Sequence, residues 1–312
     1  MDLTFVEIES ETLIVAWGGR DGNNMATTDV ILRRGSLEDA AACGQICHDA
    51  FADISAKHNF PKDFPSPEMA TGALSGMFSH PGFYSVVAER GGKVVGSNFL
   101  DERARIFGVG PITVDPSVQD SSIGRELMQN VMARAAERGA AGVRLLQDAF
   151  HNRSFALYTK LGFEMRVTTS VMQGPGTRTE IPGYVVRKAS PNDIEACNRL
   201  CVAVHGHDRG GEVSDAMTQN TVLVVEHVGR LTGYTTGVAF FGHTVGETNE
   251  ELKALIGATP EYHGLGFHVP NSNGQLLRWC YDNGLRMVKA MTLMSVGLYN
   301  EPKGAYLPSV LY

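Results

Sequence analysis

Two stretches hold residue types able to do chemistry at a usable spacing. In the segment from Pro111 to Arg134, the polar loop Gln119-Asp120-Ser121-Ser122-Ile123-Gly124-Arg125 joins an apolar strand pattern (Ile112, Val114) to an amphipathic helix pattern (Leu127, Met128, Val131, Met132). A strand feeding a helix through small residues aims several backbone N–H groups at one spot. The helix dipole adds roughly half a positive charge there, which suits a phosphate. The second stretch is HNRSFALYTKLGF, in which Asn152 opens a helix that carries Tyr158. A phenol with an unperturbed pKa of about 10 stays protonated at neutral pH and can act as an acid.

A proton acceptor is harder to place. Ile106 to Val114 holds no carboxylate, and Asp101 and Glu102 are the nearest ones upstream. His48, His58 and His80 are further candidates, each more simply read as a solvated surface residue. The segment His205-Gly206-His207-Asp208-Arg209 could form a metal site or a substrate wall, but no well-spaced third ligand stands out, so no metal is expected, and His and Asp in loops are usually solvated. No Gly-Lys-Ser/Thr follows the loop at Gln119, which sets aside a phosphate-loop nucleotide-binding protein.

The elements that must position these residues are legible from periodicity. Val30 to Arg34 reads as a strand, and Ser36 as the N-cap of a helix reaching about Ile54. A Pro-rich loop and a helix from Glu68 to Phe78 follow. Phe83 to Glu89 and Lys93 to Phe99 are strands around a Gly91-Gly92 turn. The next strand, Arg105 to Val114, contains Gly108, Gly110 and Pro111, which predict a bulge or an end of pairing inside it. After the loop and its helix come the strand Gly142 to Asp148, the helix Asn152 to Lys160 and the strand Glu164 to Met172. Residues 174–183 (GPGTRTEIPG) read as a linker.

The pattern then begins again. Glu195 to Cys201 matches Ala41 to Cys47 at an offset of 154 residues (197 − 43), and Glu226 to Gly233 matches Glu89 to Gly96 at 137 (226 − 89). Asn283-Gly284-Leu285 matches Leu161-Gly162-Phe163 at 122 (284 − 162). Steadily shrinking offsets mean one architecture duplicated with internal deletions, too long a period for a solenoid. Carried through the 122-residue offset, Asn152 falls on Gly274 and Tyr158 on Cys280, so one working site is expected, in the first copy.

Composition bounds the class. The 312 residues suit about two domains, and 43% hydrophobic content suffices for two cores. A net charge of −7 argues against nucleic acid and favours a cationic or neutral substrate. No apolar run is long enough to span a membrane, and the acidic N-terminus lacks a signal-peptide n-region. A cytoplasmic protein is expected. The pairs Cys43/Cys47 and Cys197/Cys201, four residues apart on helices, read as apolar packing.

This order of strands, helices and loop resembles the GCN5-related N-acetyltransferase (GNAT) family, from Val30 to Met172 and, as a degenerate copy, from Tyr184 onward. The family loop reads Gln/Arg-x-x-Gly-x-Gly/Ala. Gln119 and Gly124 fit it, and Ser122 stands where glycine is usual, a place serine holds if its φ is negative. The resemblance implies an α/β (α+β) fold of two tandem GNAT-like domains, each a mixed, mostly antiparallel sheet flanked by helices. Residues 1–29 form an extension, 30–173 a catalytic domain, 174–183 a linker and 184–312 a degenerate domain. It further implies acetyl-CoA bound by the backbone of Ile112 and Val114, by the loop residues Gln119, Ser121, Ser122, Ile123, Gly124 and Arg125, and by Asn152 and Tyr158. Tyr158 would be the general acid and Glu102 a base, with a water as the other option. The function implied is acetyl transfer to the amine of a small acceptor by direct attack. The alternative is a non-catalytic acyl-CoA-binding regulatory protein. Neither nucleic acid nor membrane is an expected partner, and a homo-oligomer stays open.

Overall fold

The computed structural model describes residues 30–119 and 122–311. The expected N-terminal extension, residues 1–29, lies outside them. The first half runs β1 (Val30–Arg34), α1 (Ala40–Lys57), α2 (Pro67–Ser79), β2 (Phe83–Arg90), β3 (Lys93–Asp101), β4 (Ile106–Val109), β5 (Thr113–Val114), α3 (Ile123–Glu137), β6 (Gly142–Asp148), α4 (Asn152–Lys160) and β7 (Glu164–Gln173). The second runs β8 (Tyr184–Lys188), α5 (Ile194–His205), α6 (Gly210–Thr218), β9 (Leu223–His227), β10 (Arg230–Thr235), β11 (Thr244–Gly246), α7 (Asn249–Ala258), β12 (Phe267–Pro270), α8 (Gly274–Asp282), β13 (Arg286–Gly297) and β14 (Ala305–Leu307).

Strand alternation explains why helices cover both faces of each sheet. On β2, Val86 and Ala88 join Leu127, Met128 and Val131 of α3, while Phe83 and Val87 join Cys43 and Cys47 of α1 and Leu74 of α2. The second half repeats this. Val225 packs toward Leu252 and Leu255 of α7, and the neighbouring Val224 toward Cys197 and Cys201 of α5. All four of these cysteines are buried free thiols, consistent with apolar packing. No helix among the described residues is long and apolar enough to cross a membrane.

The sheets do not divide at residues 174–183. One sheet runs β1-β2-β3-β4-β6-β13-β7-β12 with β5 on β3, and a five-stranded sheet runs β14-β11-β10-β9-β8. Strand β13 of the second half thus lies between β6 and β7 of the first, and β7 lies between β13 and β12. The registers obey the same 122-residue offset. Met291 pairs with Asp148 as Thr169 pairs with Pro270 (291 − 169, 270 − 148), and Met291 also pairs with Thr169. A local two-fold therefore passes through the Thr169–Met291 pair. Even the register shifts obey it, since Arg166 and Val288 (288 − 166) are the residues skipped on either strand. Among the described residues all strand pairings are antiparallel except β4 with β6.

Candidate active site

The expected interruption of the strand from Arg105 to Val114 opens the site. Leu100 pairs with Val109, and Ser97 with Thr113, so Asn98 and Phe99 face three residues, Gly110 to Ile112, across a bulge. The Gly110 N–H donates to Phe99 O at 2.8 Å. Glycine is required at 108, where a Cβ would sit 2.0 Å from Leu311 O. On its other edge β4 follows β6 only from Ile106 to Gly108. Beyond that point β6 continues through Leu145 to Asp148 without β4, and the two strands splay. The resulting cleft, about 910 Å³, is lined by both strands, the start of α3, α4, α1 and several second-half residues. Its size is that of a small-molecule site.

Val109 to Val114, Gln119, Ser122 to Arg125, Asn152 and Tyr158 all face this cleft. The Asp115 N–H donates to Val95 O on β3, so strand alternation turns the Val114 N–H the other way, toward the splay. The Val114 carbonyl accepts from Gln119 Nε2 at 3.3 Å. Ser121 lies outside the described residues. The expectation of a negative φ at Ser122 fails: φ is +65°, the left-handed conformation that a family glycine would adopt freely. The Ser122 carbonyl takes the N–H groups of Arg125 and Glu126. That leaves the Ile123 and Gly124 amides at the head of the helix dipole, before the first intrahelical bond. A Cβ on Gly124 would meet nothing closer than 3.8 Å, so the approach to these amides is open. The basic residues Arg125, Arg153 and Lys160 also line the cleft.

Tyr158 is buried, with 6% of its surface exposed. Burial pushes its phenol up to about 12, against a hydrogen bond from Ser154 and helped by the Asp148 charge. It therefore stays protonated through the neutral range. Asn152, the first residue of α4, is exposed at the cleft wall.

The candidate bases fare differently. Glu102 does not reach the cleft. Its carboxylate is held by Arg134 at 2.8 and 3.3 Å and by Arg138 at 3.6 Å. Asp101 is bound to Arg103 at 2.6 Å. His80 lies 3.2 Å from Asp215, and His48 pairs with Asp49. His58 does line the cleft, its ring 5.0 Å from that of Phe150. The solvated reading of His205 to Arg209 also fails: His205, His207 and Arg209 are buried.

Sequence reasoning missed a buried cluster facing the cleft. The Lys289 ammonium, with no exposed surface, donates to both Asp63 oxygens at 2.7 and 2.9 Å and lies 2.7 Å from Asp148 Oδ1. Burial raises the Asp63 carboxyl to about 6, with Lys289 opposing and Asp148 adding to the rise. Beside Asp148, the Gln147 side chain is 6% exposed, and neither its Nε2 nor its Oε1 meets a partner among the described residues. Asp63 was visible only as the one acid in a Pro-rich loop. Lys289 gave no signal at all, because strand exchange alone brings it here.

Known proteins share this fold. The sequence model of the acetyltransferase (GNAT) family matches residues 51–163. No curated protein matches the sequence. Among solved structures, a Pyrococcus horikoshii protein assigned as an acetyltransferase superposes over 92% of this chain and 98% of its own, at 17% identity and a TM-score of 0.68. A GCN5-related N-acetyltransferase from Sphaerobacter thermophilus covers 87% of this chain and 96% of its own, at 17% identity and a TM-score of 0.58. A tandem GNAT protein from the clavulanic acid biosynthesis pathway covers 86% and 98%, at 14% identity and 0.52. These matches place a GNAT-family acetyltransferase domain at residues 51–163, and the whole-chain superpositions show a tandem GNAT-like fold.

Proposed function

We propose that the protein transfers an acetyl group from acetyl-CoA to the amine of a small acceptor by direct attack. One observation carries this reading: a single cleft joins an uncapped helix N-terminus, a splayed strand pair and a buried, protonated tyrosine. The amides of Ile123 and Gly124, with Gln119, Ser121, Ser122 and Arg125, would hold the pyrophosphate of acetyl-CoA through backbone donors and positive charge. Ile112 and Val114 would hold the pantetheine arm through their backbone, and Asn152 through its side chain. The Val114 N–H, turned into the splay, suits the polarisation of a thioester carbonyl. Tyr158 would give its proton to the departing thiolate.

The test is thiol release from acetyl-CoA over a panel of amines. Wild type should turn over at least one of them. Tyr158→Phe should lower kcat by about 100-fold or more, the usual size of a lost general acid, while calorimetry finds CoA affinity unchanged. Binding of CoA with no thiol release from any amine would favour the regulatory alternative.

A further inference from the structure

We propose that Asp63 anchors the acceptor's ammonium and then takes its proton, and that the acceptor is an amine with an apolar, preferably aromatic, body. This rests on the acyl-transfer reading above and names the base and the substrate class it leaves open.

Two carboxylates and one ammonium meet in a buried cluster, so one negative charge has no partner. Such a charge is expensive to hold away from water. Two species can relieve it: a proton, or a cation entering from the cleft. The raised Asp63 carboxyl fits the first route, and the position of Asp63 on the cleft wall opens the second. The groups facing Asp63 are Lys289 on β13, Asp148 on β6 and Cys47 on α1. Further out lies His268 on β12, pushed down to about 3 by burial and by Lys289, and therefore neutral. None of these supplies the missing positive charge.

The surroundings set the body of the ligand. Phe64, next to Asp63, lies 6.2 Å from the ring of Phe51, and both line the cleft. From the second half come Phe240, whose ring centroid is 5.8 Å from the Lys289 ammonium, with Leu265 and Met291. An apolar sleeve ending in a carboxylate selects a cation on an apolar stem. Gln147 is an independent sign of a ligand, because its buried amide meets no donor or acceptor among the described residues where it faces the cleft.

The step balances. Asp63 accepts one proton from R–NH3+, and the freed nitrogen lone pair forms a C–N bond to the thioester carbonyl carbon. The C–S bond then breaks, and the thiolate takes the Tyr158 proton. The surplus proton on the new amide nitrogen returns to the Tyr158 phenolate, and Asp63 releases its own to water.

Asp63→Asn tests this. The variant leaves Lys289 and Asp148 as a one-to-one pair, so it should fold, and at pH 7.5 it should melt higher than wild type. The sign follows from the raised carboxyl. Protonated Asp63 stabilises the fold below the unfolded-state pKa, and that contribution is lost as pH rises through about 6. Calorimetry on the full chain would use 2-phenylethylamine, the uncharged 2-phenylethanol and spermidine as probes, with CoA in parallel. Wild type should bind 2-phenylethylamine at least tenfold tighter than 2-phenylethanol and than spermidine. Asp63→Asn should lose the preference over the alcohol, with CoA affinity unchanged. In turnover, wild-type kcat/KM should rise with pH up to an inflection near 6, and Asp63→Asn should lose that inflection and most of kcat. Amine binding within twofold of wild type in the variant, tighter binding of spermidine, or an inflection that survives would overturn the proposal. If amine binding depends on Asp63 but no thiol is released, the anchor stands and the acyl-transfer reading fails.

Discussion

In both halves an arginine on the first strand clamps two carboxylates: Arg33 holds Asp39 and Glu89, each at 2.7 Å, and Arg187 holds Asp193 and Glu226 at 2.9 and 2.6 Å. In both, the same aspartate caps the start of the following helix through the N–H of Ser36 or Ser190. The halves part company at the helix that follows the central hairpin. Eight residues separate β5 from α3, and that helix begins at Ser122 with no side-chain cap on its leading amides among the described residues. Two residues separate β11 from α7, and that helix caps itself. Glu251 accepts from the Thr248 N–H at 2.9 Å and from its hydroxyl, and Thr248 Oγ1 accepts from the Glu250 N–H. Both helices have a dipole, so the dipole does not make an anion site. What matters is whether the chain spends its own side chains on the first turn, and in α7 the spent side chain is also negative.

The two-fold through Thr169 and Met291 sharpens the contrast. Lys289 maps on Val167 (289 − 122) and Asp148 on Pro270 (148 + 122), so the charged cluster of the first cleft has an apolar mate. Lys289→Met would strand two buried carboxylates and should cost about 3–5 kcal/mol in urea unfolding at pH 7.5. The deficit should shrink at pH 5, where Asp63, its carboxyl raised by burial, can take up a proton. Val167→Met should cost less than about 1.5 kcal/mol, as volume-tolerant apolar changes do. Equal losses at the two positions would mean that the cluster carries no special electrostatic load.

Thr248→Ala probes the other side of the comparison. It removes one cap and should lower stability by about 1 kcal/mol. CoA affinity measured by calorimetry should not change, because α7 faces no ligand in this reading. A drop in CoA affinity comparable to that of an α3 variant would return the second half to function.

Much of this was legible in the sequence because it is local. The helix and strand periods, the bulge at Gly108 to Pro111, the loop from Gln119 to Gly124 and the spacing of Asn152 and Tyr158 are written within short windows. The repeat was legible too, from the cysteine pairs and from the match of Asn283-Gly284-Leu285 to Leu161-Gly162-Phe163. What was hidden depends on contacts between distant strands. Nothing in the sequence around Arg286 to Gly297 says that β13 leaves its own half, so Lys289 could not be joined to Asp63, 226 residues away. Glu102 was chosen for its nearness in sequence to the loop, but Arg134 on α3 claims it first. Burial likewise hid the environment of His205 and His207.

Ser122→Gly should have the smallest effect and tests how α3 is held open. A non-glycine residue in the left-handed region costs roughly 1–2 kcal/mol, and the Ser122 hydroxyl recovers part of that by donating to Glu126 Oε1 at 2.5 Å on an exposed surface. Glycine at 122 would remove both terms, so the expected net gain is about 0.5–1 kcal/mol in unfolding free energy. CoA affinity should rise by less than tenfold, because glycine reaches the binding geometry without strain and the contacts to the Ile123 and Gly124 amides are unchanged. A loss of stability would mean that the serine hydroxyl, rather than the open backbone, holds the first turn in place. The α3 start would then be self-capped in the manner of α7, and the contrast between the two halves would rest on loop length alone.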